Sequence, residues 1–216
     1  MKKPRSPHAK AGAWESDFFA DAAYADSIFR SALGDQKGAV SALKRALALK
    51  PTHAPAILSV GSVEYQRGKR AAGRRLFRSL LALPESTPEL PAILDKAGGF
   101  LIRIGAYKDG LELYRAAVAK FPAVAALHQG LGCCAGHEGF HEEAVRASER
   151  ALEIEPANQE FVNDLGWTLL LAGRFDEAGD TLERAVAMDP SDELARENLR
   201  LCGVERAKRE REARGT

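Results

Sequence analysis

Long apolar runs are missing from this chain of 216 residues. None approaches the ~20 residues that a membrane-spanning helix needs, so no membrane association is expected. The basic opening MKKPRSPHAKAGAWES has no apolar segment behind it, which speaks against a secretory signal. Cysteine is scarce: Cys133, Cys134 and Cys202 are all there is, an odd total with two neighbours, which makes a disulfide framework a poor fit and a reducing, cytoplasmic setting the natural one. Aromatic residues for stacking bases are scarce where positive charge is densest: the basic stretch 67–83 holds only Phe77. A phosphate-binding loop is also missing. Gly61-x6-Gly68-Lys69-Arg70 has the wrong spacing, and Arg70 stands where a magnesium-binding Ser or Thr would be required.

What is present is an ordinary globular composition, 45% hydrophobic and 28% charged, with a formal net charge of +1. That small net charge conceals a division. Residues 1–90 hold 15 Lys and Arg against 8 Asp and Glu, whereas residues 91–216 hold 16 against 22.

A fixed interval organises the chain. Gly98, Gly132 and Gly166 stand 34 residues apart, as do Gly105, Gly139 and Gly173, then Pro122, Pro156 and Pro190, then Ala117, Ala151 and Ala185. Gly61, Gly68, Gly73 and Phe77 fit an earlier copy displaced by three residues, and Gly34, Ala39, Leu43, Ala46 and Pro51 fit a first. The registers are 20–53, 54–87, 91–124, 125–158 and 159–192, with an insertion at 88–90. Self-similarity at such a period marks a stacked repeat architecture.

Within 159–192, Val162, Leu165, Gly166, Leu169, Ala178, Leu182, Ala185 and Pro190 fall at the spacing W-x2-L-G-x2-Y, A-x3-F, P. Residues 20–192 therefore resemble the tetratricopeptide repeat (TPR) family. The copies depart from the pattern at Asp26-Ser27, Ala97, Gly110 and the early Pro84. The resemblance implies an all-α, right-handed α-solenoid of five TPR-like helix-turn-helix repeats, closed by a capping helix over 193–211. Glycines 34, 68, 105, 139 and 173 would sit in turns that need positive φ. Gly98, Gly132 and Gly166 would let helices approach closely. Trp14, Phe18 and Phe19 would extend the first helix and cover its end of the array. Residues 1–15 and 212–216 are expected to lie outside the ordered domain. The proline-rich segment 83–91 predicts a longer loop and the weakest junction, and Gly98-Gly99 a weakened helix beyond it.

Chemistry is sparse. Cys133, Cys134, His128, His137 and His141 lack the spacing of a structural zinc site, so no metal or other cofactor is expected. Cys133 and His137, one turn apart, would need an orienting group and an oxyanion site to act as a catalytic pair, and neither can be named. The sequence gives no reason to read an enzyme. Glu142-Glu143 and Asp176-Glu177 open second helices, where carboxylates suit the helix N-terminus. The basic stretch 67–83 reads as a solvated helix face or a surface for an acidic protein partner; nucleic acid is not expected there.

In the TPR family, first helices line a concave groove for a partner's peptide or helix. By that resemblance the groove residues would be Tyr24, Ile28, Ser62, Tyr65, Gln66, Asp95, Arg103, Gln129, Cys133, His137, Asn163 and Trp167. Trp167 stands out because the repeat does not require an aromatic there. The positions matching the carboxylate clamp of some co-chaperones hold Tyr24, Ile28, Ser59, Asp95 and Gly99, without the cations that grip a C-terminal carboxylate. The implied function is a non-enzymatic protein–protein interaction module: an adaptor, assembly scaffold or chaperone. Self-assembly through docking of the basic half on the acidic half of another copy is one alternative, and a cryptic enzyme using Cys133 and His137 is a remoter one.

Overall fold

The structure is a computed structural model, and it describes residues 13–215. Eleven helices occupy those residues, with no strand among them. They are α1 (Ala13–Ala32), α2 (Gln36–Leu49), α3 (Ala54–Gln66), α4 (Arg70–Leu81), α5 (Leu90–Arg103), α6 (Tyr107–Lys120), α7 (Ala125–His137), α8 (His141–Ile154), α9 (Gln159–Leu171), α10 (Phe175–Met188) and α11 (Glu193–Arg214). The expectation for residues 1–12 falls outside the described part. Ala13–Glu15, expected to precede the ordered domain, already belong to α1, and α11 runs three residues past the expected Arg211 boundary.

Local chemistry explains the helix ends. Gly34, Gly68, Gly105, Gly139 and Gly173 all have φ between +68° and +81°, the left-handed conformation that closes a helix and that a Cβ disfavours. Asp35, Asn158 and Asp192 cap α2, α9 and α11 by accepting from backbone N–H groups one turn ahead. Glu142-Glu143 and Asp176-Glu177 lie in the first turns of α8 and α10, facing the positive end of the helix dipole.

The chain divides into two compact units between Ile93 and Leu94, inside α5 and just after the loop 82–89. This boundary nearly coincides with the change of charge sign, since Pro91, Ala92 and Ile93 carry none. In the first unit, Ala23, Leu43, Ala46, Ala56 and Val60 form a core between α1, α2 and α3. His53 caps α3 from a buried position: Nδ1 accepts from the Ala56 N–H at 3.1 Å, which leaves Nε2 to donate to Asp21 at 2.9 Å. In the second unit, Val145, Leu169, Leu170, Ala178, Leu182 and Cys202 join α8, α9, α10 and α11. Asn198 on α11 donates to Asn163 on α9 at 3.0 Å, both buried, so one polar bond fixes the register of the last helix.

Two sequence expectations require correction. Trp14 and Phe18 do extend the first helix, but they and Phe19 face solvent rather than covering packed neighbours. Gly98 is present for a side chain rather than for helix–helix approach alone. A Cβ there would lie 2.2 Å from the buried Tyr114 ring, and a Cβ at Gly130 would lie 2.1 Å from it on α7. The two glycines form a flat slot for that ring, and the intrinsic helix penalty they carry accompanies a specific packing role.

Candidate functional site

The second unit contains a cavity of about 290 Å³ whose walls come from α5, α6, α7, α8 and α9. Its floor is the small-residue surface of α7, where Gly130, Gly132 and Gly136 leave room between helices. Asp95 and Tyr114 close one side, and Asp164, Trp167 and Glu160 the other. Among the described residues no lysine or arginine lines it.

The carboxylates in this cavity are held, not free to move. Gln129 Nε2 on α7 donates to Asp164 Oδ2 at 2.8 Å and to Glu160 Oε1 at 3.1 Å, tying two acids of α9 to the neighbouring helix. Burial raises the Asp164 pKa to about 6; the Gln129 hydrogen bond opposes that rise, and the Glu160 charge adds to it. Asp95 is raised too, by burial first, while the Tyr114 hydroxyl that donates to its Oδ1 at 3.1 Å opposes the shift. Burial pushes the Tyr114 phenol far up, so it remains a donor at any ordinary pH. Burial and the Asp164 charge also raise the Cys133 thiol. A nucleophilic cysteine needs the opposite shift, and the His137 ring lies flat against Tyr107 at 3.8 Å. Among the described residues no group of three or more His, Cys, Asp or Glu could hold a metal ion.

Of the twelve groove candidates, the cavity brings together Asp95, Gln129, Cys133, His137 and Trp167. Arg103 is exposed and does not line it. Asn163 is not a groove residue: it is buried and bonded to Asn198. In the first unit, Tyr65 is likewise buried, stacked on Phe77 at 5.4 Å and pressed against Gly73. Both were misplaced for the same reason, since a helical position that faces a groove in one repeat packs against a neighbour where the adjoining side chain is small or polar. Tyr24 lies against His53, with ring centres 5.2 Å apart. Ser62 returns its hydroxyl to the Leu58 carbonyl at 3.0 Å, and Ile28 and Gln66 are exposed. Sequence reasoning missed Asp164 and Glu160. Their signal was available as a carboxylate one turn before Trp167 and another a turn earlier, on the same face of α9.

Residues 137–200 match the family model described as Tetratricopeptide repeat. The same helix-pair fold recurs in solved TPR structures. The protein YrrB, described as a TPR protein with an unusual peptide-binding site, aligns at a TM-score of 0.59 with 20% identity, covering 82% of this chain and 89% of that one. Residues 137–200 thus match a tetratricopeptide repeat, and the described helices share the TPR fold. A TPR protein from Parabacteroides merdae aligns at a TM-score of 0.67 with 16% identity, over 90% of this chain and 76% of the other. Among curated proteins, DnaJ homolog subfamily C member 3 of Mus musculus is 26% identical over 180 residues. That alignment takes in 77% of this chain but only 36% of the relative, so the chain spans about a third of the protein it matches. TPR folds mediate protein–protein interactions, peptide binding included, and are typically not enzymes. No described helix is long and apolar enough to cross a membrane.

Proposed function

We propose that the second unit cradles a segment of a partner protein, as an adaptor, assembly scaffold or chaperone does, and that the segment presents a basic side chain to the cavity. One observation carries this reading: Trp167 shares a cavity with Asp95, Glu160 and Asp164, and no cation lines it. A lysine or arginine entering there would meet an aromatic face and fixed carboxylates together, two features that favour cations once water is displaced. A partner's C-terminal carboxylate would meet like charge. The free thiols of Cys133, Cys134 and Cys202 suit a reducing compartment such as the cytoplasm.

Fluorescence anisotropy with labelled 12-residue peptides, carrying Arg, Ala or Glu at the centre, tests the proposal. The Arg peptide should bind, and Trp167→Ala should weaken it at least fivefold, the ordinary effect of losing an aromatic anchor. Glu160→Gln, at an exposed position, should weaken it with the fold intact. Equal binding of the Glu peptide, or an unchanged affinity in both variants, overturns the reading. The alternative, self-association through opposite charge, draws on the coincidence of the charge division with the boundary between the two units. It requires assemblies that fall apart as salt is raised.

A further inference from the structure

One face of α1 is exposed among the described residues. Trp14, Phe18, Ala22, Ala25, Phe29 and Leu33 are all exposed, and their spacing of four, four, three, four and four residues places them within roughly 100° of the helix circumference. The opposite face carries the buried Ala20, Ala23 and Ser27. An amphipathic surface helix exposes polar residues on its outer side, whereas α1 is apolar on both sides over five turns.

The order of residues along this stripe is a palindrome in size: large, large, small, small, large, large. Laid antiparallel on a second copy of itself, the stripe pairs Trp14 with Leu33, Phe18 with Phe29, and Ala22 with Ala25, and the alanines allow close approach at the centre. A twofold interface must be self-complementary in this sense, while a stripe meant for an unrelated helix has no reason to be.

The area is adequate. Trp14, Phe18, Phe29 and Leu33 are 71%, 61%, 64% and 69% exposed. With ~150–250 Å² per aromatic side chain and somewhat less for leucine, these four with Ala22 and Ala25 offer about 600 Å² per copy. A pair would bury about 1,200 Å², at the lower limit of specific stable interfaces. A monomer seldom leaves a contiguous apolar patch of that size in water.

We infer that the chain forms a symmetric dimer through antiparallel contact of α1 with α1 of a second copy. Because the contact is apolar, the dimer persists or tightens as salt rises, unlike an assembly of opposite charges. No α1 residue lines the cavity of the second unit, so substitutions in the stripe and in the cavity test dimerisation and peptide binding separately.

Sedimentation velocity of the full chain between 1 and 100 µM, at 50 mM and 500 mM NaCl, is the test. The expected result is a concentration-dependent dimer at both salts. The Phe18→Glu/Phe29→Glu variant should be monomeric, with unchanged helical circular dichroism and unchanged peptide affinity. A mixture of Ala22→Cys and Ala25→Cys chains should cross-link under mild oxidation more completely than either chain alone. A wild-type monomer at 100 µM, a dimer lost at 500 mM NaCl, or a dimer that survives the double glutamate substitution would each overturn the inference.

Discussion

Replacing Gly130 by alanine is the sharpest test of how the second unit is packed. The new Cβ would lie 2.1 Å from Tyr114 Cζ and 2.5 Å from its hydroxyl oxygen, where ordinary contact needs ~3.5–4.0 Å. The ring has little room to retreat, because the Gly98 backbone lies so near its other side that a Cβ built there would be 2.2 Å away, and the hydroxyl is bonded to the Asp95 carbonyl at 3.2 Å and carboxylate at 3.1 Å. Overpacking of this kind costs about 1–3 kcal/mol, and a ring confined on two sides belongs at the upper end. Alanine returns about 1 kcal/mol of helix propensity, leaving a net loss of about 2 kcal/mol. Urea unfolding in a Trp14→Phe background, followed by the fluorescence of Trp167, reads the second unit specifically. For a slope of about 2 kcal/mol per molar, the midpoint should fall by about 1 M. In a Tyr114→Ala background the slot is empty, so Gly130→Ala should become stabilising by about 1 kcal/mol. This change of sign defines the coupling between the two positions. Equal effects in both backgrounds, or no effect in either, would refute the steric reasoning.

Asp164 gives a pH-dependent prediction. Its pKa is raised to about 6 in the folded chain against ~3.9 unfolded, so the fold favours the protonated form. The associated stability is fully present below about pH 4 and is lost as pH rises through 6. Asp164→Asn keeps an acceptor for Gln129, and should flatten that dependence and stabilise the second unit at pH 7 by about 1–2 kcal/mol, measured by urea midpoints at pH 4.5 and 7. If the same carboxylate contacts a basic peptide, the peptide should bind more tightly at pH 7.5 than at pH 5 to wild type, a difference that the variant should reduce; an unaltered difference would remove Asp164 from the binding reading. Asn198→Ala should cost about 1–3 kcal/mol by leaving buried Asn163 without its donor. Adding Asn163→Ala should cost much less than a second full increment in thermal denaturation; strictly additive losses would mean the pair is not coupled.

Helix boundaries and turns were legible in the sequence because their causes are local. A glycine that must adopt positive φ and an acid pair opening a second helix act within a few residues, and both recur in step with the repeat. The size of Tyr114 was equally plain, but the reason for Gly98 and Gly130 was not, since it arises when α5, α6 and α7 converge on one ring. Tyr65 and Asn163 failed as groove residues on the same account. Repeat register places a side chain on a helix face, and the neighbour's volume decides whether that face is open. Asp164 was visible as a residue but its environment was not, because burial is a property of the assembled helices.

The longest-reaching side-chain bonds described, Gln129 to Asp164 and Asn198 to Asn163, connect residues 35 positions apart. Contacts this short in sequence lower the loop-closure entropy required for folding and place the chain among fast folders. They also bear on synthesis. A repeat leaving the ribosome already has the neighbour it needs, so burial can proceed during translation rather than after release. The largest exposed apolar surface then lies on the most recently made helices and on α1, whose outer stripe is exposed among the described residues.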